Sequence, residues 1–448
     1  MKLSHRTLRR GLTWAASGTV ALGVVAGSAS SSATATATAA TTGTGDGGRV
    51  ALRWVNAWQG SPTAGGTFSH ESCPADTGLK DQTVRNLVFL SAGGHQLRVR
   101  VSNAFGAQPL DVGAASVGVQ KQGAQTVPGT LRSVHFSGRR SILIPAGGEA
   151  LSDSVRLDVK ALQRLAVSVY LPQATGPATQ HNNSRETNYL ASGNRTSSAA
   201  AGAFTTKIGC WMFASGVDVL PARDVRGTVV ALGDSITDGD QSTIDADQRY
   251  PDHLARRLQA VHGPTLSVSN AGIGGNELLR NRVPELFGVS ALARLPRDVL
   301  TQAGAREVIL LEGINDIGAE SATANQLIQA DQLIIAQVHA AGLRIYGATL
   351  VPFAGSNVRY GGNYGTAAGE RERQKLNHWI RTSGAFDAVF DFDRALRDPA
   401  NPARLLPVYD SGDHLHPSDA GYRAMAAAVD LRILLRDVRR HAPSWRAA

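Results

Sequence analysis

Four short segments carry residue types that can do chemistry together. They are "GDSIT" (233–237), "NAGIGG" (270–275), "GIND" (313–316) and "DSGDHLHPSD" (410–419). The last is the densest, with Asp410, Asp413, Asp419, His414 and His416 inside one stretch. Such a cluster is a metal site, one arm of a nucleophilic triad, or a polar loop. His414 and His416 form an H-x-H, but a catalytic zinc takes a third protein ligand. No H-E-x-x-H or C-x-x-C occurs, and the other histidines lack a partner at ligand spacing, so no metal and no cofactor is expected. Acyl transfer fits better. A serine hydroxyl is a poor nucleophile until an imidazole takes its proton. A carboxylate on the other ring nitrogen fixes the tautomer and stabilises the imidazolium. The oxyanion needs N–H donors, from a glycine turn or a side-chain amide. Ser235, a loop histidine with a nearby aspartate, Gly275 and Asn315 supply one candidate for each part.

These segments work together only if the fold brings them to one edge, and the surrounding pattern predicts that it does. "GTVVALGDSIT", "LSVSNAGIGG", "EVILLEGIND", "LRIYGATLVPF" and "AVFDFD" read as strands. Helical spacing separates them in "YPDHLARRLQAVHG", "SALARLPRDVLTQAG", "ANQLIQADQLIIAQVHAAG" and "ERERQKLNHWIRTSG", and "SDAGYRAMAAAVDLRILL" closes the series as a helix. Strands alternating with helices imply a parallel sheet covered on both faces, with ligands bound beyond the carboxyl ends of the strands. All four segments sit at such ends. The region from Arg49 to about Val219 differs: short alternating runs such as "ASVGVQ", "VRLDV" and "LAVSVYLP" are separated by Gly, Pro and Asn clusters. This predicts a β-sandwich. Within it, "VRNLVFLS" and "HQLRVRVSNA" around "AGG" read as a hairpin.

The four segments, in this order and each after a strand, resemble the blocks of the SGNH (GDSL-type) hydrolases over roughly 227–435. That resemblance implies a flavodoxin-like α/β domain with Ser235 as nucleophile. It implies oxyanion donors at Ser235, Gly275 and Asn315, and the pair Asp413 and His416 in "DHLHP". His414 is then a surface or supporting residue, Asp234 and Asp316 brace loops, and Asp410 and Asp419 act as a loop anchor and a helix N-terminal charge. The β region, with "RWVNAW" and "VSNAFG", more loosely resembles secreted two-domain bacterial esterases, including a branch linked to xylan breakdown. The implied function is hydrolysis of carboxylic esters: acetyl or feruloyl groups on plant polysaccharide, or small aryl or short-chain esters. The alternatives are a lipase or lysophospholipase-type acyl hydrolase, and a non-catalytic carbohydrate-binding protein on the same scaffold. Polar loops bearing Tyr250, Arg359, Tyr360 and Tyr364 are the candidates for contacting substrate.

Composition bounds the rest. Lys2, Arg6, Arg9 and Arg10 precede an apolar stretch over 11–27 and then small residues, which reads as a secretory signal (1–29). A weak N-terminal anchor is the alternative. An Ala/Thr/Ser/Gly-rich leader (30–47), the β-sandwich (48–221), the catalytic domain (222–440) and a tail (441–448) complete the expected order. Without those four basic residues the formal +9 becomes +5, scattered along the chain, so no nucleic-acid partner is expected. A secreted monomer without stable membrane association is expected. Cys73 and Cys210 are the only cysteines, and an even count in an exported chain suggests a disulfide between them, with two buried thiols as the alternative.

Overall fold

The strand Val225–Gly233 is buried along nearly its whole length, as a run of Val, Ala and Leu requires when both faces of a sheet are covered. It lies between Thr265–Gly272 on one side and Ala305–Leu311 on the other, followed by Arg344–Ala348 and Ala388–Phe390. All four pairings are parallel, giving the order 2-1-3-4-5 of a flavodoxin-like sheet. Helices Tyr250–Gln259 and Asp419–Ala428 pack together, as do Ala324–Ala340 and Ala367–Thr382. The computed structural model describes residues 53–66, 72–221, 224–282 and 285–436. The expected signal, leader and tail lie outside them. No helix among the described residues is long and apolar enough to cross a membrane.

Two expected helices are interrupted. The stretch after Ser290 is helical over Ala291–Leu295 and then widens into a π-turn at Pro296–Leu300, because Pro296 has no N–H to continue the ladder. The last helix stops at Ala428, where Val429 turns extended, and a short turn capped by Asp430 follows over Leu431–Leu434.

The N-terminal region is two antiparallel sheets around one apolar core. One contains Val55–Gln59, Ala214–Pro221, Gly94–Ser102 and Val155–Val159; the other is centred on Gln82–Phe89, Arg164–Leu171 and Ala114–Gln122. The hairpin expected around "AGG" does not form. Gln82–Phe89 already pairs with Arg164–Leu171 on one edge and Asn188–Ser192 on the other. With both edges taken, Gly94–Ser102 crosses to the opposite sheet and pairs with Ala214–Pro221. Cys73 and Cys210 form a disulfide.

The sandwich also covers an edge of the parallel sheet. Ser91 accepts from the Val268 N–H through its hydroxyl (3.0 Å), and its carbonyl accepts from the Gln259 side chain (2.8 Å). Asn56 donates its N–H to the Ala303 carbonyl (2.8 Å), and Gln59 donates to the Asp298 carbonyl (3.0 Å). The Val268 N–H on the edge strand Thr265–Gly272 is thereby taken by the sandwich instead of being left open to another strand.

Candidate active site

The first strand ends at Gly233, where a Cβ would sit 2.0 Å from the Thr237 hydroxyl and 2.6 Å from the Leu311 carbonyl. Only glycine allows the chain to turn there. Asp234 then accepts the Ile236 N–H (2.8 Å), and Ser235 opens a four-residue helix that ends in left-handed Gly239. The turn sets the Ser235 hydroxyl 2.8 Å from His416 Nε2. His416 Nδ1 lies 2.7 Å from Asp413 Oδ2. All three residues are buried.

Asp413 is held at both oxygens. Its Oδ1 accepts the N–H groups of Leu415 (2.9 Å) and His416 (2.8 Å), and its Oδ2 also accepts from the Tyr360 hydroxyl (2.9 Å). Burial opposes its ionisation, but the His416 ring and these N–H groups outweigh burial and hold the carboxyl far below the usual carboxylate range. An anion here raises the imidazole. Burial lowers the His416 pKa, yet the carboxylates of Asp240 and Asp413 overcome it and move the group above its ordinary value. Asp234, beneath the serine, is pushed up to about 7 by burial.

Gly275 has φ +71°, and a Cβ on it would meet the Phe287 ring at 2.2 Å. Asn315 is the second residue of helix Ile314–Glu320, entered through left-handed Gly313. Its amide is tied at both ends: Nδ2 donates to the Asn276 carbonyl (2.8 Å) and Oδ1 accepts from the Tyr364 hydroxyl (2.7 Å). An amide nitrogen carries two hydrogens, so one remains for a ligand. Asp316 accepts the N–H groups of Leu278 (2.9 Å) and Leu279 (3.0 Å), fastening the two loops together.

Ser235, Gly275, Asn315 and His416 face one cavity of about 440 Å³. Tyr360 and Tyr364 line it too, but their hydroxyls brace Asp413 and Asn315. The other two substrate candidates are corrected. Tyr250 is fully buried at the start of its helix, with its ring 5.4 Å from that of Phe392, because that face of the helix packs into the core. Arg359 is exposed, its guanidinium 5.7 Å over the Tyr360 ring and outside the cavity wall. His414 points away: it is half-exposed and paired with Asp410 at 2.6 Å. Asp410 also accepts from the Gly412 and His414 N–H groups, and Asp419 binds Thr243. Among the described residues no group of three or more His, Cys, Asp or Glu side chains is placed to hold a metal ion.

The cavity also has walls that sequence reasoning did not name: Asn182, Asn183, Asp240, Arg282 and Phe287. Asp240 stands in the polar loop after the nucleophile, and that loop was legible as a neighbour of the site. Asn182 and Asn183 come from the β-sandwich, and nothing in their local sequence marks them. Their segment is docked by His181, whose Nε2 meets Asp238 at 3.0 Å and whose Nδ1 meets the Ser61 carbonyl at 2.9 Å. Both ring nitrogens face acceptors, so His181 serves as a double donor in imidazolium form. Arg249 adds a bond to the Ser184 carbonyl.

Among solved structures, an aryl esterase from M. smegmatis is similar at 17% identity, over 48% of this chain and 99% of its own, with a TM-score of 0.38. A carbohydrate acetylesterase from Sinorhizobium meliloti is similar at 15% identity over 48% and 99%, with a TM-score of 0.36. A GDSL-like lipase from Bacteroides thetaiotaomicron gives 18% identity over 48% and 89%, with a TM-score of 0.34. No curated protein matches the chain. Residues 231–424 match the GDSL-like lipase/acylhydrolase family, a span that begins in the strand before Ser235 and runs past His416. Through that span the chain carries an SGNH hydrolase domain and is a carboxylic ester hydrolase.

Proposed function

We propose that this ester hydrolase works through an acyl-enzyme on Ser235 and is exported to act on acyl groups of plant polysaccharide or on small aryl and short-chain esters. The observation that carries this is the unbroken chain from the Ser235 hydroxyl to His416 to Asp413, opening on a cavity shared with Gly275 and Asn315. His416 Nε2 takes the serine proton as Oγ attacks the ester carbonyl, and Asp413 steadies the imidazolium. The N–H groups of Ser235 and Gly275 and the free Asn315 N–H receive the oxyanion. His416 then gives the proton to the leaving alcohol, and water, activated the same way, releases the acid. The cavity wall sets the polar side chains of Asn182, Asn183 and Asp240 beside the rings of Phe287, Tyr360 and Tyr364, a mixture that supports a hydroxylated or aryl ester, and the Cys73–Cys210 disulfide supports an oxidising compartment.

Reaction with a fluorophosphonate probe, followed by peptide mass spectrometry, tests the nucleophile. The expected result is one adduct, on Ser235, and its absence from folded protein overturns the acyl-enzyme. A panel of acetyl, feruloyl and aryl esters, with Ser235→Ala as control, tests the substrate class.

A further inference from the structure

The triad histidine has a second carboxylate neighbour that the acyl-transfer scheme leaves without a role. Asp240 Oδ2 lies 3.7 Å from His416 Nε2, the ring nitrogen that faces Ser235 and the reacting atoms. The residue is held from several sides. Its N–H donates to the Ser235 carbonyl (2.9 Å), and its own carbonyl accepts from the Tyr422 hydroxyl (2.5 Å). Its Oδ1 accepts from the Gln241 N–H (2.8 Å) and from Asn183 Nδ2 (3.0 Å). Asn183 belongs to the β-sandwich, so the accessory domain itself aims this carboxylate. The side chain is about one-fifth exposed and lines the cavity.

Around His416 the charged and titratable groups are Asp413 and Tyr360 on the Nδ1 side, Asp240 on the Nε2 side and Asp234 below. Only Asp240 of these carboxylates lines the cavity. The cation in that wall, Arg282, is engaged: it pairs with Glu277 at 3.2 Å, donates to the Gly275 carbonyl and lies over the Phe287 ring. A fixed negative charge in a partly enclosed cavity repels any like charge brought near it.

We propose that Asp240, positioned by Asn183 of the β-sandwich, is a specificity-determining residue that selects neutral esters over esters bearing a negative charge near the scissile bond. The same repulsion favours departure of the carboxylate product after deacylation. This inference rests on the acyl-enzyme reading above.

The test compares kcat/KM for p-nitrophenyl acetate with that for the mono-p-nitrophenyl ester of succinate, and for phenyl acetate with that for 4-acetoxybenzoate. Asp240→Asn keeps the shape and the backbone bonds, and is expected to shift each ratio toward the anionic ester by about tenfold. Asn183→Ala is expected to shift both ratios the same way by less, because it frees the carboxylate without removing it. In the wild type, raising salt to about 0.5 M is expected to shrink the discrimination, and in Asp240→Asn to leave it flat. The wild-type titration needs no variant and so does not depend on folding, and wild-type discrimination that stays flat in salt overturns the proposal by itself. Ratios that stay within about twofold in Asp240→Asn, or salt curves that coincide, overturn the proposal, and ratios unmoved by Asn183→Ala overturn the part assigned to the β-sandwich. Failure of the acyl-enzyme reading is separate: the fluorophosphonate probe then leaves no adduct on Ser235, whatever the ester ratios.

Discussion

Removing a single hydroxyl from the cavity wall should expose how the oxyanion site is oriented. In the wild type the Asn315 amide has a fixed sense, because Oδ1 accepts from Tyr364 and Nδ2 donates to the Asn276 carbonyl. The Tyr364 ring reaches Asn315 by lying against Gly318, where a Cβ would come within 2.3 Å of it. Tyr364→Phe keeps that packing and deletes one of the two anchors. Deleting the donor itself, in Asn315→Ala, should cost about 2.7–4 kcal/mol of transition-state stabilisation, or about 10²–10³ in kcat. Losing only the bond that orients it is a smaller effect. A net hydrogen bond of about 0.5–1.5 kcal/mol predicts a fall in kcat of about 2- to 12-fold. KM should stay near the wild-type value, since the effect lies in the transition state. The buried Oδ1 left without its donor should also lower stability by about 1 kcal/mol, read as a fall in Tm. Initial rates on p-nitrophenyl acetate for wild type, both single variants and the double variant decide the matter. In the Asn315→Ala background Tyr364→Phe should do almost nothing, because there is no amide left to orient. If the two effects multiply instead, or if Tyr364→Phe raises only KM, the positioning role is wrong.

Three further outcomes follow from the same geometry. His416→Ala should abolish turnover on any ester, while His414→Ala, which breaks only the contact with Asp410, should leave kcat/KM near wild type; the reverse pattern would move the base to His414. Because the working base is neutral imidazole and His416 is held above its ordinary value, kcat/KM should rise with pH through a limb above about 6.5. Asp240→Asn should shift that limb to lower pH, and a limb at or below 6.5 in the wild type would contradict the assignment. Replacing Cys73 and Cys210 together by serine releases a loop closed across a sequence separation of 137, worth about 5 kcal/mol in the chain-entropy model, and should lower Tm by several degrees in thermal unfolding.

Much of the catalytic half was legible because its signals are local. Five apolar runs bounded by helical stretches specify a parallel sheet, and a parallel sheet puts each following turn on the same edge. Gly233, Gly275 and Gly313 mark places where a side chain would collide or the backbone must turn left-handed. Asp413 and His416 are three residues apart, so one loop conformation joins them. What was misread depended on partners distant in sequence. The hairpin at "AGG" failed because Gln82–Phe89 had its edges claimed by strands more than seventy residues away. Tyr250 looked like a loop aromatic beside the site, and only packing against Phe392 assigns it to the core.

By itself, then, the sequence determines a parallel sheet, the order of its turns and which residues at those turns are the candidates for nucleophile, base and oxyanion donors. These follow from backbone sterics and short-range spacing. The tertiary structure alone decides what surrounds them. Docking through His181 and Asp238 brings Asn182 and Asn183 to the cavity from the β-sandwich, and a contact across 57 residues leaves no periodic trace in either segment. Chain folding likewise aims Asp240 at His416 and turns Tyr360 and Tyr364 into braces, because a hydroxyl's role is set by the acceptor within its reach.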